Sequence, residues 1–204
     1  SFLGVESVKS LHQTELWKRM LAHFGLVAEV SARPLTLNDI PRQRTKVGII
    51  AGSSNNPSKR WPVGKWAELI STMIAESEEL EVVLYGTSQD HTVSRSIMEL
   101  TGSRHISDLT GKTSLPELRD ELASCGLIIG NDTGGVHLAN ALGTPVIVLC
   151  GPTNPLATGP FFDAPLKCIQ PENCPAQGGA SIDSLSSKRA YGAVLEITRH
   201  LQTS

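Results

Sequence analysis

Two stretches of this 204-residue chain concentrate groups capable of chemistry. The first is Ala51-Gly52-Ser53-Ser54-Asn55-Asn56-Pro57-Ser58-Lys59-Arg60-Trp61-Pro62, rich in small hydroxyl and amide side chains and ending on two cations. Hydroxyls, amides and an ammonium converging on one loop can hold a diphosphate. An ordinary polar loop with a solvated Lys-Arg pair would carry the same residues. It is not a P-loop, because no second glycine precedes Lys59 and no Ser or Thr follows it. Nor is it a G-x-G-x-x-G dinucleotide fingerprint.

The second stretch is Ile129-Gly130-Asn131-Asp132-Thr133-Gly134-Gly135-Val136-His137-Leu138-Ala139. An apolar strand pattern runs straight into Asn-Asp-Thr-Gly-Gly and then into a helical one. Glycines let the backbone approach a ligand, and a helix start offers unpaired N–H groups and a positive dipole end. Asp132 or Thr133 could instead simply cap that helix, and His137 could be a partly buried structural histidine. Capping and binding can coexist, and Gly134-Gly135 is more than a cap requires. Two further loops qualify. In Gly86-Thr87-Ser88-Gln89-Asp90-His91, Asp90 could hold ribose hydroxyls or N-cap the next helix. Leu109-Thr110-Gly111-Lys112-Thr113-Ser114 could line the same crevice or be a plain turn and cap.

The elements that must position these loops alternate along the chain. Apolar runs at 47–51, 81–85, 127–131 and 145–150, with a weaker one at 105–109, read as strands, most of them closed by a glycine. Helical periodicity follows at 64–75, 91–101, from Ser114 with Glu117 as a capping box, at 134–142 and at 186–201. Continuous apolar strands alternating with helices define an α/β domain with a parallel sheet, Rossmann-like and flanked by helices. Ligands in such sheets bind beyond the carboxyl ends of the strands, where the candidate loops fall. Ahead of this domain, an amphipathic helix over 8–25 and a proline-containing stretch read as an inter-domain helix and linker. The expected organisation is 1–45 linker and 46–204 main domain.

Composition narrows the classes. Lys+Arg total 18 against 20 Asp+Glu, so a net charge of -2 argues against nucleic-acid binding by bulk electrostatics. The longest apolar runs are far too short for a membrane span. The four cysteines, Cys125, Cys150, Cys168 and Cys174, have neither disulfide-framework nor zinc spacing, which favours the cytoplasm. A metal or disulfide role for Cys168 and Cys174 is the lesser alternative. No D-x-D, H-E-x-x-H or C-x-x-C pattern supports a metal, and no G-x-S-x-G elbow is present. The chain opens at Ser1 without a methionine, which fits part of a longer protein.

Together, Lys59-Arg60-Trp61-Pro62, Asn131 to Ala139, Ala141-Leu142-Gly143-Thr144-Pro145 and Gly151-Pro152-Thr153 resemble the donor-binding half of the ADP-heptose:lipopolysaccharide heptosyltransferases, glycosyltransferase family nine. The resemblance runs from about Val47 to the end of the chain. It implies the carboxy-terminal half of a GT-B type enzyme, with acceptor held by an amino-terminal domain and nucleotide sugar by this one. It places Lys59 on the donor phosphates, with Ser53, Ser54 and Asn55 beside it. Asp132, Thr133, Gly134 and Gly135 fall on sugar hydroxyls and phosphate, His137 at the family's histidine, and Thr113 near the adenine pocket. The loop holding Asp90 departs from the family's usual ribose-binding acid. The resemblance further implies metal-independent, inverting transfer of a heptose-like sugar from an ADP-sugar to a lipopolysaccharide-type acceptor, with Lys59 and Asp132 catalytic. No cofactor is implied, and a peripheral place on the cytoplasmic face of the inner membrane is compatible. The base expected in that family is an Asp of the other domain, so this chain should bind nucleotide without turning over alone. A nucleotide-sugar 2-epimerase-like enzyme and a non-catalytic nucleotide-sugar-binding module are the competing readings.

Overall fold

A computed structural model of the chain describes residues 11–26, 29–53 and 56–203. Helix α1 (Gln13–His23) comes first, followed by an extended segment. The alternation then runs β1 (Gln43–Ile50), α2 (Val63–Glu76), β2 (Glu81–Leu84), α3 (His91–Thr101), β3 (Ile106–Asp108) and α4 (Leu115–Ser124). It continues through β4 (Cys125–Asn131), α5 (Gly134–Ala141), β5 (Val146–Leu149), the short α6 (Pro155–Thr158), β6 (Leu166–Ile169) and α7 (Ser187–Thr203). All strands pair in parallel in the order β3-β2-β1-β4-β5-β6. That is a doubly wound sheet whose order reverses between β1 and β4.

The strand residues alternate between two cores. Val47, Ile49, Val82, Leu84, Leu127, Ile129, Ile147 and Leu149 face one side and meet Trp66, Leu69, Ile70 and Met73 of α2, Ile97 of α3 and Ile197 of α7. Ile50, Val83, Tyr85, Ile128, Val146 and Val148 face the other and meet Leu122 of α4 and Val136 and Ala139 of α5. Burial on both faces is why these strands are apolar throughout.

Several boundaries differ from expectation for identifiable reasons. Helix α1 starts at Gln13 because His12 caps it, its ring Nδ1 accepting from the Thr14 N–H at 3.2 Å; residues 8–10 of the expected helix lie outside the described residues. It ends before Gly25, which takes a φ of 75°. Strand β1 begins at Gln43, ahead of its apolar run, because Gln43 already pairs with Cys125 before an irregularity in the register. Strand β6 was not expected: Leu166-Lys167-Cys168-Ile169 is a short mixed edge strand lacking a continuous apolar run. Ser114 and Glu117 form the expected capping box. The four cysteines are free thiols.

One polar network braces β1, β2 and α4 against each other. Glu121 Oε2 accepts from Lys46 Nζ and from Tyr85 Oη, each at 2.7 Å, and Lys46 also donates to Ser124 Oγ at 2.9 Å. Lys46 and Tyr85 are buried, so removing the carboxylate takes the 2.7 Å acceptor from the Tyr85 hydroxyl and leaves the Lys46 ammonium without its counter-charge. Glu121→Ala is expected to cost about 1–3 kcal/mol, seen as a lowered urea midpoint with an unchanged slope.

Candidate functional site

A cavity of about 930 Å³ runs across the carboxyl ends of the strands, centred on the β1/β4 switch point. That volume is at the upper end of small-molecule sites. Its lining includes Ser53, Lys59, Asp90, Thr113, Asp132, Thr133, Gly134, Gly135 and His137, so the described candidates converge on one space. Ser54 and Asn55 lie outside the described residues.

The loop after β1 is held so that its lysine points inward. Trp61 is fully buried, packs edge-on against Trp66 with ring centroids 5.0 Å apart, and donates its indole N–H to the Leu185 carbonyl at 2.9 Å. Asn131, fully buried at the end of β4, accepts from the Trp61 backbone N–H at 3.3 Å and donates to the Ala51 carbonyl at 2.7 Å. Arg60 turns back to the Ser53 carbonyl at 3.0 Å. Arg60 therefore fastens the loop and leaves Lys59 as the cation facing the cavity. Neither Asn131 nor Trp61 stood out from sequence as a positioning residue, although both lie within the motifs singled out there.

Lys59 Nζ donates to Asp132 Oδ2 at 2.8 Å and to the Asp132 backbone carbonyl at 3.2 Å. His137 Nε2 lies 3.4 Å from Asp132 Oδ1. Burial pushes the Asp132 carboxyl up, but His137 and Lys59 outweigh it and hold the group down at about 2. Asp132 is thus a charged, buried anchor that fixes Lys59 at the mouth of α5. Lys59 retains donor capacity beyond these two bonds.

The capping interpretation of Asp132 and Thr133 fails on geometry. Thr133 sits at the N-cap of α5 but makes no side-chain cap bond, and among the described residues its buried hydroxyl has no hydrogen-bond partner. Among the described residues the first N–H groups of α5 consequently have no side-chain acceptor, and they border the cavity, the arrangement that attracts anions. Gly134 borders open space, whereas a Cβ on Gly135 would come within 2.7 Å of Ile50. Gly134 thus borders the open cavity, and Gly135 seats the helix against β1.

Asp90 also departs from simple capping of α3. Its carboxylate turns back, Oδ2 accepting from the Thr87 N–H and hydroxyl, each at 2.9 Å, while buried Oδ1 has no partner among the described residues. A Cβ on Gly52 would fall 2.2 Å from this carboxylate, so the β1 loop needs glycine for Asp90 to reach the cavity. Thr113 lies beyond it, with Leu115 and Leu118 of α4 forming an apolar wall. Sequence reasoning missed cavity residues from two further places: Gln13 on α1, and Thr153 and Thr158 after β5.

A doubly wound parallel sheet with a lysine and an open helix start at its switch point is a Rossmann-like α/β architecture with its cavity where such sheets bind ligands. A family model described as glycosyltransferase family 9 (heptosyltransferase) matches residues 19–179, and the chain belongs to that family. Lipopolysaccharide heptosyltransferase 2 of Salmonella typhimurium is 31% identical over 162 residues, covering 77% of this chain and 44% of that protein. Among solved structures, Escherichia coli ADP-heptose lipopolysaccharide heptosyltransferase II superposes with a TM-score of 0.67 at 26% identity, over 98% of this chain and 54% of that one. A structure of E. coli heptosyltransferase WaaC with ADP superposes at 0.64 and 21% identity, over 79% and 46% of the two chains, a likeness of fold. The chain spans about half the length of these relatives.

Proposed function

We propose that this chain is the carboxy-terminal, donor-binding half of a heptosyltransferase, and that the whole protein moves a heptose-like sugar from an ADP-sugar to a lipopolysaccharide-type acceptor. The observation that carries the reading is Lys59 held against Asp132 at the uncapped start of α5, inside the cavity at the switch point. The solved relative named as an ADP-heptose heptosyltransferase, 26% identical, supports the nucleotide. Family membership favours transfer over the epimerase reading.

On this reading the diphosphate lies against Lys59 Nζ and the N–H groups of α5. As the acceptor oxygen attacks the anomeric carbon and the bond to the diphosphate breaks, the leaving ADP gains negative charge. Lys59 and the helix start meet that charge, each such contact contributing ~2–4 kcal/mol in the transition state. No metal or other cofactor has a part in this step. Attack from the face opposite the leaving group inverts the anomeric centre. The acceptor's proton passes to a base outside this chain, so the chain binds donor and does not turn over alone. Asp90, with its unpartnered Oδ1, takes the ribose hydroxyls, and the Leu115–Leu118 wall takes the base. Among the described residues no helix is long and apolar enough to cross a membrane. We place the protein in the cytoplasm, meeting its glycolipid acceptor at the inner membrane surface.

Calorimetric titration with ADP, with and without Mg²⁺, tests this. One saturable site is expected, with affinity unchanged by Mg²⁺ and weakened roughly tenfold or more in Lys59→Ala, the loss of a hydrogen bond to a charged group. Absence of ADP binding, or binding indifferent to Lys59, would sink the donor reading.

A further inference from the structure

Helix α1 stands apart from the two cores of the sheet, and none of its residues is buried. It is brought to the α/β unit by His12, whose Nε2 lies 3.0 Å from the Gly159 carbonyl and whose ring meets Phe161. Gln13, Trp17, Met20 and Phe24 follow one another at three- and four-residue spacing and so share one face. On that face Trp17 is 53% exposed and Phe24, at the C-cap, 71%. The helix end enlarges the patch. Leu26 N–H donates to the Leu21 carbonyl and Gly25 N–H to the Ala22 carbonyl, both at 3.0 Å, with Gly25 at a φ of 75°. That left-handed turn folds Leu26 back beside the end of α1, where it too is exposed. The charges take the other side of the helix, where Glu15 engages Lys18 at 3.5 Å and Arg19 at 3.1 Å.

Large apolar side chains left together in water mark a surface that another body covers. Three observations say which body. The relatives of this chain run to about twice its length, so a second portion of similar size accompanies it in them. Gln13, the first residue of the stripe, lines the donor cavity, so whatever sits on the stripe overhangs the mouth by which an acceptor must arrive. The lysine and arginine of α1 are both paired with Glu15 instead of being arrayed toward an anionic lipid surface, which favours a protein partner. Resting on the reading of this chain as a carboxy-terminal half, we infer that Trp17, Phe24 and Leu26 form the seat of the amino-terminal half, which packs on the outer face of α1. One helix then touches both halves: its His12 end is fixed to the donor domain and its apolar face to the domain that brings the acceptor. A displacement of one half against the other is felt at Gln13, on the cavity rim.

Hydroxyl-radical footprinting, which reads side-chain exposure residue by residue, tests this on the full-length protein and on this chain. Leu100 on α3, 62% exposed, serves as the reference. Trp17 and Phe24 are expected to react roughly fivefold or more slowly in the full-length protein, the change from an open surface to the covered core of an interface, with Leu100 unchanged. Trp17→Glu is expected to lower the urea midpoint of the full-length protein and to leave that of this chain unmoved. Equal reactivity of Trp17 and Phe24 in the two proteins would overturn the inference. So would protection lost on dilution of the full-length protein to a monomer, which would seat a second copy there, or protection that requires added vesicles of anionic lipid, which would make α1 a membrane contact. Calorimetric titration of the same chain with ADP is judged apart: failure to bind ADP removes the donor reading, and the footprint still decides the seat.

Discussion

Lys59→Ala in the full-length protein is expected to reduce kcat for sugar transfer by roughly 10²- to 10³-fold, the usual effect of removing one preorganised donor from a developing anion. A lysine that served ground-state binding alone would raise KM and spare kcat. The geometry predicts otherwise, because Nζ is pinned by two bonds to Asp132 and cannot follow a wandering phosphate. Lys59→Arg is expected to recover little, since a guanidinium fork cannot occupy a point held by a single ammonium at 2.8 Å. Steady-state kinetics with saturating acceptor separates these outcomes. A kcat within threefold of wild type would confine Lys59 to ground-state binding if KM rises, and would place the diphosphate elsewhere if KM is also unchanged.

Asp132→Asn is expected to lose stability in a pH-dependent way. The folded-state carboxyl sits at about 2, below the ordinary aspartate value of 3.8, despite burial pushing the other way, through His137 and Lys59. The contribution is therefore present above about pH 4 and disappears as pH falls toward 2. Its size is about 2 kcal/mol. Urea unfolding at pH 7 should show the variant less stable by that amount, with the two proteins converging at about pH 2 and below. Parallel acid limbs would mean that other carboxylates carry the acid sensitivity. The same substitution releases Lys59, so ADP affinity and stability should fall together, whereas Glu121→Ala should move stability alone.

The sheet was legible because its strands are buried on both faces. Val47 to Ile50 and Leu127 to Ile129 could hardly be anything else once each met a glycine and then a helical period. Lys59 and Asp132 were legible for a related reason: a doubly wound sheet brings the loops after β1 and β4 together whatever lies between them. What the chain did not announce were contacts created by long-range closure. Asn131 looked like part of a glycine-rich turn, yet it clamps the Trp61 backbone. Asp90 could be read equally as a ribose ligand or a helix cap, and the space cleared by Gly52 explains how its carboxylate reaches the cavity. Gln13 reaches the site through a ring contact and one bond to Gly159, partners 147 residues from His12 in the case of the bond. Strand β6 lies at the sheet edge, where one neighbour suffices and the apolar signature weakens.

The closed ion pair between Lys59 and Asp132 bears on how a charged metabolite finds this protein. With its cation already matched by an anion, and a net charge of -2 on the chain, the cavity casts little long-range attraction. Encounter with a diphosphate is then governed by ordinary collision, and its rate should vary little with ionic strength. Discrimination is deferred to contact, where only a molecule able to reach the start of α5 gains from it. Such a site is poorly suited to retaining polyanions such as nucleic acids, which bind by displacing counterions from exposed basic surface.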